Sequence, residues 1–159
     1  MSSAPPEFTI GSLYIAGFTQ ARAPHVGLII PTSNQTGCLV HIRIDRATSD
    51  KWAYQCRAQP IQSDMFLSSL LKLHDISAGP ITLDQLRAAA TAVPPPDNDE
   101  FGECEAWMAQ VVEQLHAANL IACTDVKGLV DEFHAFAIRN RTYARRDKFP
   151  NVAVSQFCA

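Results

Sequence analysis

Charge is scarce in this sequence and nearly balanced. Charged residues make up 18% of the 159, and 13 Lys and Arg against 16 Asp and Glu leave a formal net charge of -3. Proteins that hold nucleic acid through its phosphates carry a basic excess, so no nucleic-acid partner is expected. Long apolar runs are missing as well. None approaches the ~18 residues that cross a bilayer as a helix, so no membrane span is expected. Closely paired cysteines are absent. The five are Cys38, Cys56, Cys104, Cys123 and Cys158, with no C-x-x-C pair of the kind that builds zinc or redox sites. An odd, scattered set in a chain of this length does not read as a disulfide framework. It reads as the reduced thiols of a cytoplasmic protein. No G-x-G-x-x-G or Walker-type loop occurs, so no nucleotide cofactor is indicated and no cofactor is expected.

What the chain does have is hydrophobicity. Apolar and aromatic residues reach 47%, enough to offset the entropy lost on ordering a chain of this length. Residues 1–7, rich in Ser, Ala and Pro, lack the layout of a secretory signal and read as a disordered leader. Residues 8–159 read as one catalytic-type domain, with strands over 8–76, helices over 82–145 and a tail over 146–159.

The strand half consists of short runs with β-branched or aromatic residues over 8–18, 25–30, 38–44 and 52–57. Pro31 stops the second, and the polar cluster 32–37 turns it into the third. Residues 65–76 fit either period, and the preceding strands favour a fifth strand. Together these runs predict an antiparallel meander. In the helical half, Thr82 with Gln85 forms a capping box for a helix to about Thr91, ended before Pro94, Pro95 and Pro96. The next helix starts at Glu103 or Cys104 and runs to about Ala118. Its apolar stripe is Trp107, Val111, Leu115 and Ala118. A third begins after Thr124, the expected cap, with Leu129, Phe133, Phe136 and Ala137 on one face. Strands first and helices after give an α+β class, a meander with helices packed on it.

Cys104 stands out by position. It occupies the first turn of an amphipathic helix, after a Pro- and Gly-containing loop. Unpaired N–H groups and the positive end of the helix dipole favour thiolate over thiol there and can hold an oxyanion. His25 opens an apolar strand directly after Pro24, where a ring can reach a cleft at the sheet's end. His41 lies within the next strand, in Leu39-Val40-His41-Ile42. If the turn at 32–37 makes a hairpin, the two imidazoles are neighbours. His25 is then a candidate base and His41 the group that orients it. Each residue taken singly also fits plain packing.

These stretches, His25-Val26-Gly27-Leu28-Ile29, Leu39-Val40-His41-Ile42 and Glu103-Cys104-Glu105-Ala106-Trp107, resemble the motifs of a known group. It is the circularly permuted papain-like fold of the lecithin–retinol acyltransferase and NlpC/P60 superfamily. The resemblance implies that Cys104 attacks a carbonyl, His25 moves the proton and His41 orients His25. It also implies an oxyanion-stabilising role for Tyr14 in the first strand, with Trp107 a weak candidate for contacting substrate. Glu103 stands where the group has Asn. No membrane anchor like that of the animal phospholipid acyltransferases follows, so a small-molecule substrate is expected.

The expected function is a cysteine-dependent hydrolase or acyltransferase acting on an amide, ester or thioester. The alternatives are an isomerase or cyclase using the same Cys and His as acid and base, and a non-catalytic binding module. His74, His116 and His134 have no partners by spacing. His134 with Glu132 or Asp131 reads as a solvated helix face, and no metal site is expected. The basic stretch 139–148 reads as a solvated helix end.

Overall fold

The computed structural model describes residues 8–20, 24–45, 47, 50–144 and 149–158. The expected leader, 1–7, and part of the basic stretch, 145–148, lie outside the described residues. In chain order the elements are β1 (Leu13–Phe18), β2 (His25–Pro31), β3 (Thr36–Arg43), β4 (Ala53–Pro60), β5 (Leu67–His74), α1 (Leu83–Thr91), α2 (Glu103–Ala117), α3 (Val126–Arg139) and β6 (Asn151–Val154). They form an α+β fold, a six-stranded mixed sheet with three helices packed on it.

The sheet order is β4-β3-β2-β1-β5-β6. β1 to β4 pair in sequence and antiparallel, as the meander predicts. β5 does not continue past β4. It returns to the other side of β1, antiparallel, and β6 pairs with it in parallel. Burial explains the departure. Seven of the eight β5 residues are buried, which requires cover on both faces and a central place in the sheet. β4 instead exposes Ala53, Arg57, Ala58 and Pro60, and a proline-bearing, partly polar strand suits an edge. The tail, 146–159, contains β6. A parallel partner needs a long crossover, and the three helices supply it. Asn140 at the end of α3 ties this edge down. Its Nδ2 donates to Ser69 Oγ at 2.9 Å, and its Oδ1 accepts from Asn151 Nδ2 at 3.0 Å.

Strand alternation divides the core in two. Leu13, Ile15, Val26, Leu28, Val40 and Ile42 point toward the helices, where Trp107, Val111, Leu115, Leu129 and Phe133 meet them. Tyr14, Ala16, Ile29, Leu39 and Leu70 point the other way, into a smaller cluster closed by Phe8 and Ile61. The capping box forms at Thr82 and Gln85. At α3 the cap is Asp125 rather than the expected Thr124. The Asp125 carboxylate accepts from the Gly128 N–H, whereas the Thr124 N–H and hydroxyl both bond the Phe157 carbonyl.

One glycine sets how closely the central strands carry the site. A side-chain carbon at Gly27 would stand 2.9 Å from His41 Cβ, Leu39 Cδ1 and the Val40 carbonyl oxygen. Crowding by a single added carbon in a filled core typically costs about 1–3 kcal/mol. Gly27→Ala should therefore lower the urea midpoint by that order with an unchanged denaturant slope. A midpoint equal to the wild type's would show that β2 and β3 have room to spare.

Candidate active site

The end of the sheet nearest the N-terminus of α2 holds a cleft of about 250 Å³, with Pro24, His25, Trp52, Phe101, Cys104 and His134 in its walls. Three elements build it. β2 begins at His25, so that residue stands at the strand's end. α2 packs on β2 and β3, which carries Cys104 of its first turn to the same place. The loop between α1 and α2 closes one side. Trp52 fastens that loop, its Nε1 donating to the Glu100 carbonyl at 2.9 Å and its backbone N–H to the Asn98 carbonyl at 3.2 Å.

The two histidines meet as the hairpin reading expects. His25 Nε2 lies 2.8 Å from His41 Nδ1, and His41 Nε2 lies 2.8 Å from Gln55 Oε1. Gln55 sits directly across from His41 in the β3–β4 register. An amide oxygen only accepts, so His41 Nε2 carries the proton and, in a neutral ring, Nδ1 is the acceptor. His25 Nε2–H then donates to it, leaving the lone pair of His25 on Nδ1. The chain of three residues thus selects the tautomer in which His25 has a basic nitrogen to offer.

Both rings are held neutral. His25 is lowered to about 3, first by burial and then by the charges of His41, Arg57 and Arg43. His41 is lowered to about 4, mainly by burial; its bond to Gln55 pulls upward, against Arg57 and Arg43.

Cys104 is buried on the cleft wall, 5% exposed. The helix-start position is expected to depress its thiol, and here the structure differs. Burial raises it above its ordinary value, and the Glu105 charge adds to that. The backbone N–H groups of Val26, Glu105 and Cys104 favour the thiolate but do not outweigh burial. The cap of α2, Gly102, has φ 90° and contributes no side-chain bond to the first turn. Among the described residues no hydrogen bond joins the Cys104 sulfur to either imidazole. The contact runs instead to Val26, the neighbour of His25. At rest the pair is neutral thiol and neutral ring.

Two weaker candidates lie elsewhere. Tyr14 is fully buried on the face opposite the helices, and its hydroxyl accepts the Thr9 N–H at 2.7 Å. It does not line the cleft: Tyr14 shares the sheet face of His25 and His41, but it stands four residues along β1 from Phe18, the strand partner of His25. Trp107 is 1% exposed in the main core and donates Nε1 to the Val93 carbonyl at 2.9 Å, so its indole anchors the helix to the preceding loop. Trp52 takes the cleft position instead. His74 bonds the Gly79 carbonyl at 2.6 Å, and His116 Nδ1 accepts the Cys123 N–H at 3.1 Å. His134 does not face solvent alone. It meets Glu105 of α2 at 3.2 Å and enters the cleft wall. The other cysteines adjoin in pairs away from the cleft. Cys38 and Cys56 have sulfurs 3.6 Å apart, and Cys123 faces Cys158 across an isolated bridge.

The sequence does not single out Gln55 or Glu105, and it reads Trp52 as a core residue, whereas the structure puts Trp52 in the cleft wall. Only the pairing of β3 with β4 reveals Gln55, and the length of the connection between those strands does not fix their register.

The depressed rings make stability depend on pH. In the unfolded chain both titrate near 6.5, against about 3 and about 4 when folded. The unfolded chain takes up protons first, so this contribution is intact above 6.5 and lost as pH falls toward 4 and then 3. At about 1.4 kcal/mol per unit, the loss amounts to several kcal/mol. Urea unfolding at about pH 7 and about pH 4 should show a smaller drop for His41→Asn than for the wild type. Equal drops would mean that the rings are not held neutral by the fold.

No curated protein and no solved structure matches this chain. The model of one family, DUF6540, matches residues 13–122, a span from β1 through α2 that contains His25, His41, Gln55 and Cys104. The chain belongs to DUF6540, a family of unknown function.

Proposed function

We propose that this protein is a cysteine-dependent hydrolase or acyltransferase acting on an amide, ester or thioester of a small molecule, on a permuted papain-like architecture. The observation that carries the reading is the His25–His41–Gln55 chain at the mouth of the cleft that also holds Cys104. In this reading His25 Nδ1 takes the thiol proton as sulfur attacks the carbonyl carbon. Burial of both groups disfavours a preformed ion pair, so transfer and attack share one step. The carbonyl oxygen becomes an oxyanion beside the first-turn amides of α2. Collapse breaks the bond to the leaving group, which takes the proton from His25. The resulting thioester on Cys104 is cleaved by water or another acceptor, again through His25.

One observation favours a second reading. A thiol kept protonated next to a neutral imidazole also suits an acid and base pair for isomerisation or cyclisation.

Intact mass and labelling separate these readings. Iodoacetamide should modify Cys104 only slowly at rest, because the thiol is buried and protonated, so the acyl adduct is the deciding readout. Candidate acyl donors should leave an adduct that is absent in Cys104→Ser, and His25→Ala should slow acylation by about 10²–10⁴-fold. Turnover that survives Cys104→Ser without any adduct would replace this reading with the isomerase. The absence of both adduct and turnover with every donor would leave a binding module.

A further inference from the structure

A second cleft, about 380 Å³, lies on the other side of His25, with His25, His41, Arg43, Trp52, Arg57 and Gln20 in its walls. Gln20, His25 and Trp52 belong to both clefts, so the two meet at the His25 imidazole. Its chemistry differs from that of the first. Among the described residues no carboxylate lines it, and two guanidiniums do. Arg43 lies two residues beyond His41 on β3, and Arg57 two beyond Gln55 on β4, so alternation places both on the histidine face.

Arg57 is held from behind. Its Nη2 donates to Gln59 Oε1 at 2.7 Å, and Gln59 Nε2 donates to Asp64 Oδ2 at 2.7 Å. Gln59 is 1% exposed, so this support is built into the strand pair. A neutral amide thus fixes the guanidinium, and the carboxylate stands one residue further away. There Asp64 also receives the N–H groups of Phe66 and Leu67. Arg43 reaches Asp45 only at 3.9 Å, with both side chains more than a third exposed. Such a contact neutralises little. Partial burial and then the Arg43 charge hold Arg57 below its ordinary value, with Asp64 opposing, and both arginines push the two histidines down. The carboxylates these guanidiniums meet, Asp45 at 3.9 Å and Asp64 behind Gln59, stand outside the cleft lining, and a guanidinium matches the planar oxygens of a carboxylate or the face of a phosphate.

We propose that this second cleft binds an oxyanion of the substrate, a carboxylate or phosphate held by Arg43 and Arg57, while the scissile carbonyl lies across His25 at Cys104. The proposal rests on Cys104 as nucleophile. It narrows the substrate class to amides, esters or thioesters that carry an anionic group on the far side of the imidazole from the bond to be cleaved.

The test uses the full chain and two probes, inorganic phosphate and succinate. Each is titrated while the imidazole resonances of His25 and His41 are followed by NMR, with dispersion of the spectrum reporting that every variant is folded. A saturable shift is expected. Arg43→Gln and Arg57→Gln should each weaken it by at least about tenfold. Arg57→Lys should keep part of the phosphate affinity, because charge remains and the fork is lost. Tighter phosphate identifies a phosphoryl group, and tighter succinate a carboxylate. No saturable shift with either anion, or affinities unchanged in both Gln variants, overturns the proposal. If the anions bind through the arginines but no acyl donor leaves an adduct on Cys104, the anion site stands and the nucleophile reading falls.

Discussion

Two imidazoles at hydrogen-bonding distance, His41 buried and His25 half-buried, constrain nearly everything around them. A charge on either would sit in low dielectric beside two guanidiniums, so both must stay neutral, and neutral rings must agree on who donates. Gln55 resolves that choice from the far side, because its oxygen can only accept. The chain His25–His41–Gln55 runs across three adjacent strands. It therefore exists only while the register of β2, β3 and β4 is kept, and a slip of one residue would send every ring to the opposite face.

The rest of the local architecture serves that register. Gly27 lets β3 approach β2 closely enough for His41 to lie beside it. α2 lays Trp107, Val111 and Leu115 on the opposite face of the same strands, so the helix that carries Cys104 and the strands that carry the histidines share one core. Trp52 straps the loop before α2 to the start of β4. The sulfur and the rings thus reach the cleft from elements that cannot move independently, which is the preorganisation that the proposed chemistry requires.

Electrostatically the site is two compartments divided by one ring. On the Cys104 side burial favours the neutral thiol, and Glu105 faces His134. On the other side Arg43 and Arg57 impose a positive field that reaches both imidazoles. A dipole-lowered thiolate, the expectation from helix position alone, loses to this environment because the helix terminus contributes partial charges whereas desolvation acts on the whole one.

Local physics in the sequence determined the α+β class, the first four strands, the capping box at Thr82, the buried stripe of α2 and the face of α3. Each of these depends on residues within a turn or two of one another. The pairing of His25 with His41 was also legible, because a short turn leaves little choice of partner for two consecutive strands. What lay across long connections was decided by tertiary structure alone. β5 went to β1 because its two apolar faces needed cover, and β6 found a parallel edge only after three helices had brought the chain back. Tyr14 lies on the histidine face but too far along β1 to reach the cleft, Trp107 was absorbed into the core, and Gln55, Trp52 and the arginine pair were brought to the site by a register that no local pattern encodes. Side-chain chemistry is written in the sequence, but which groups share a low-dielectric pocket, and so which charge states survive there, is set only when distant segments pack.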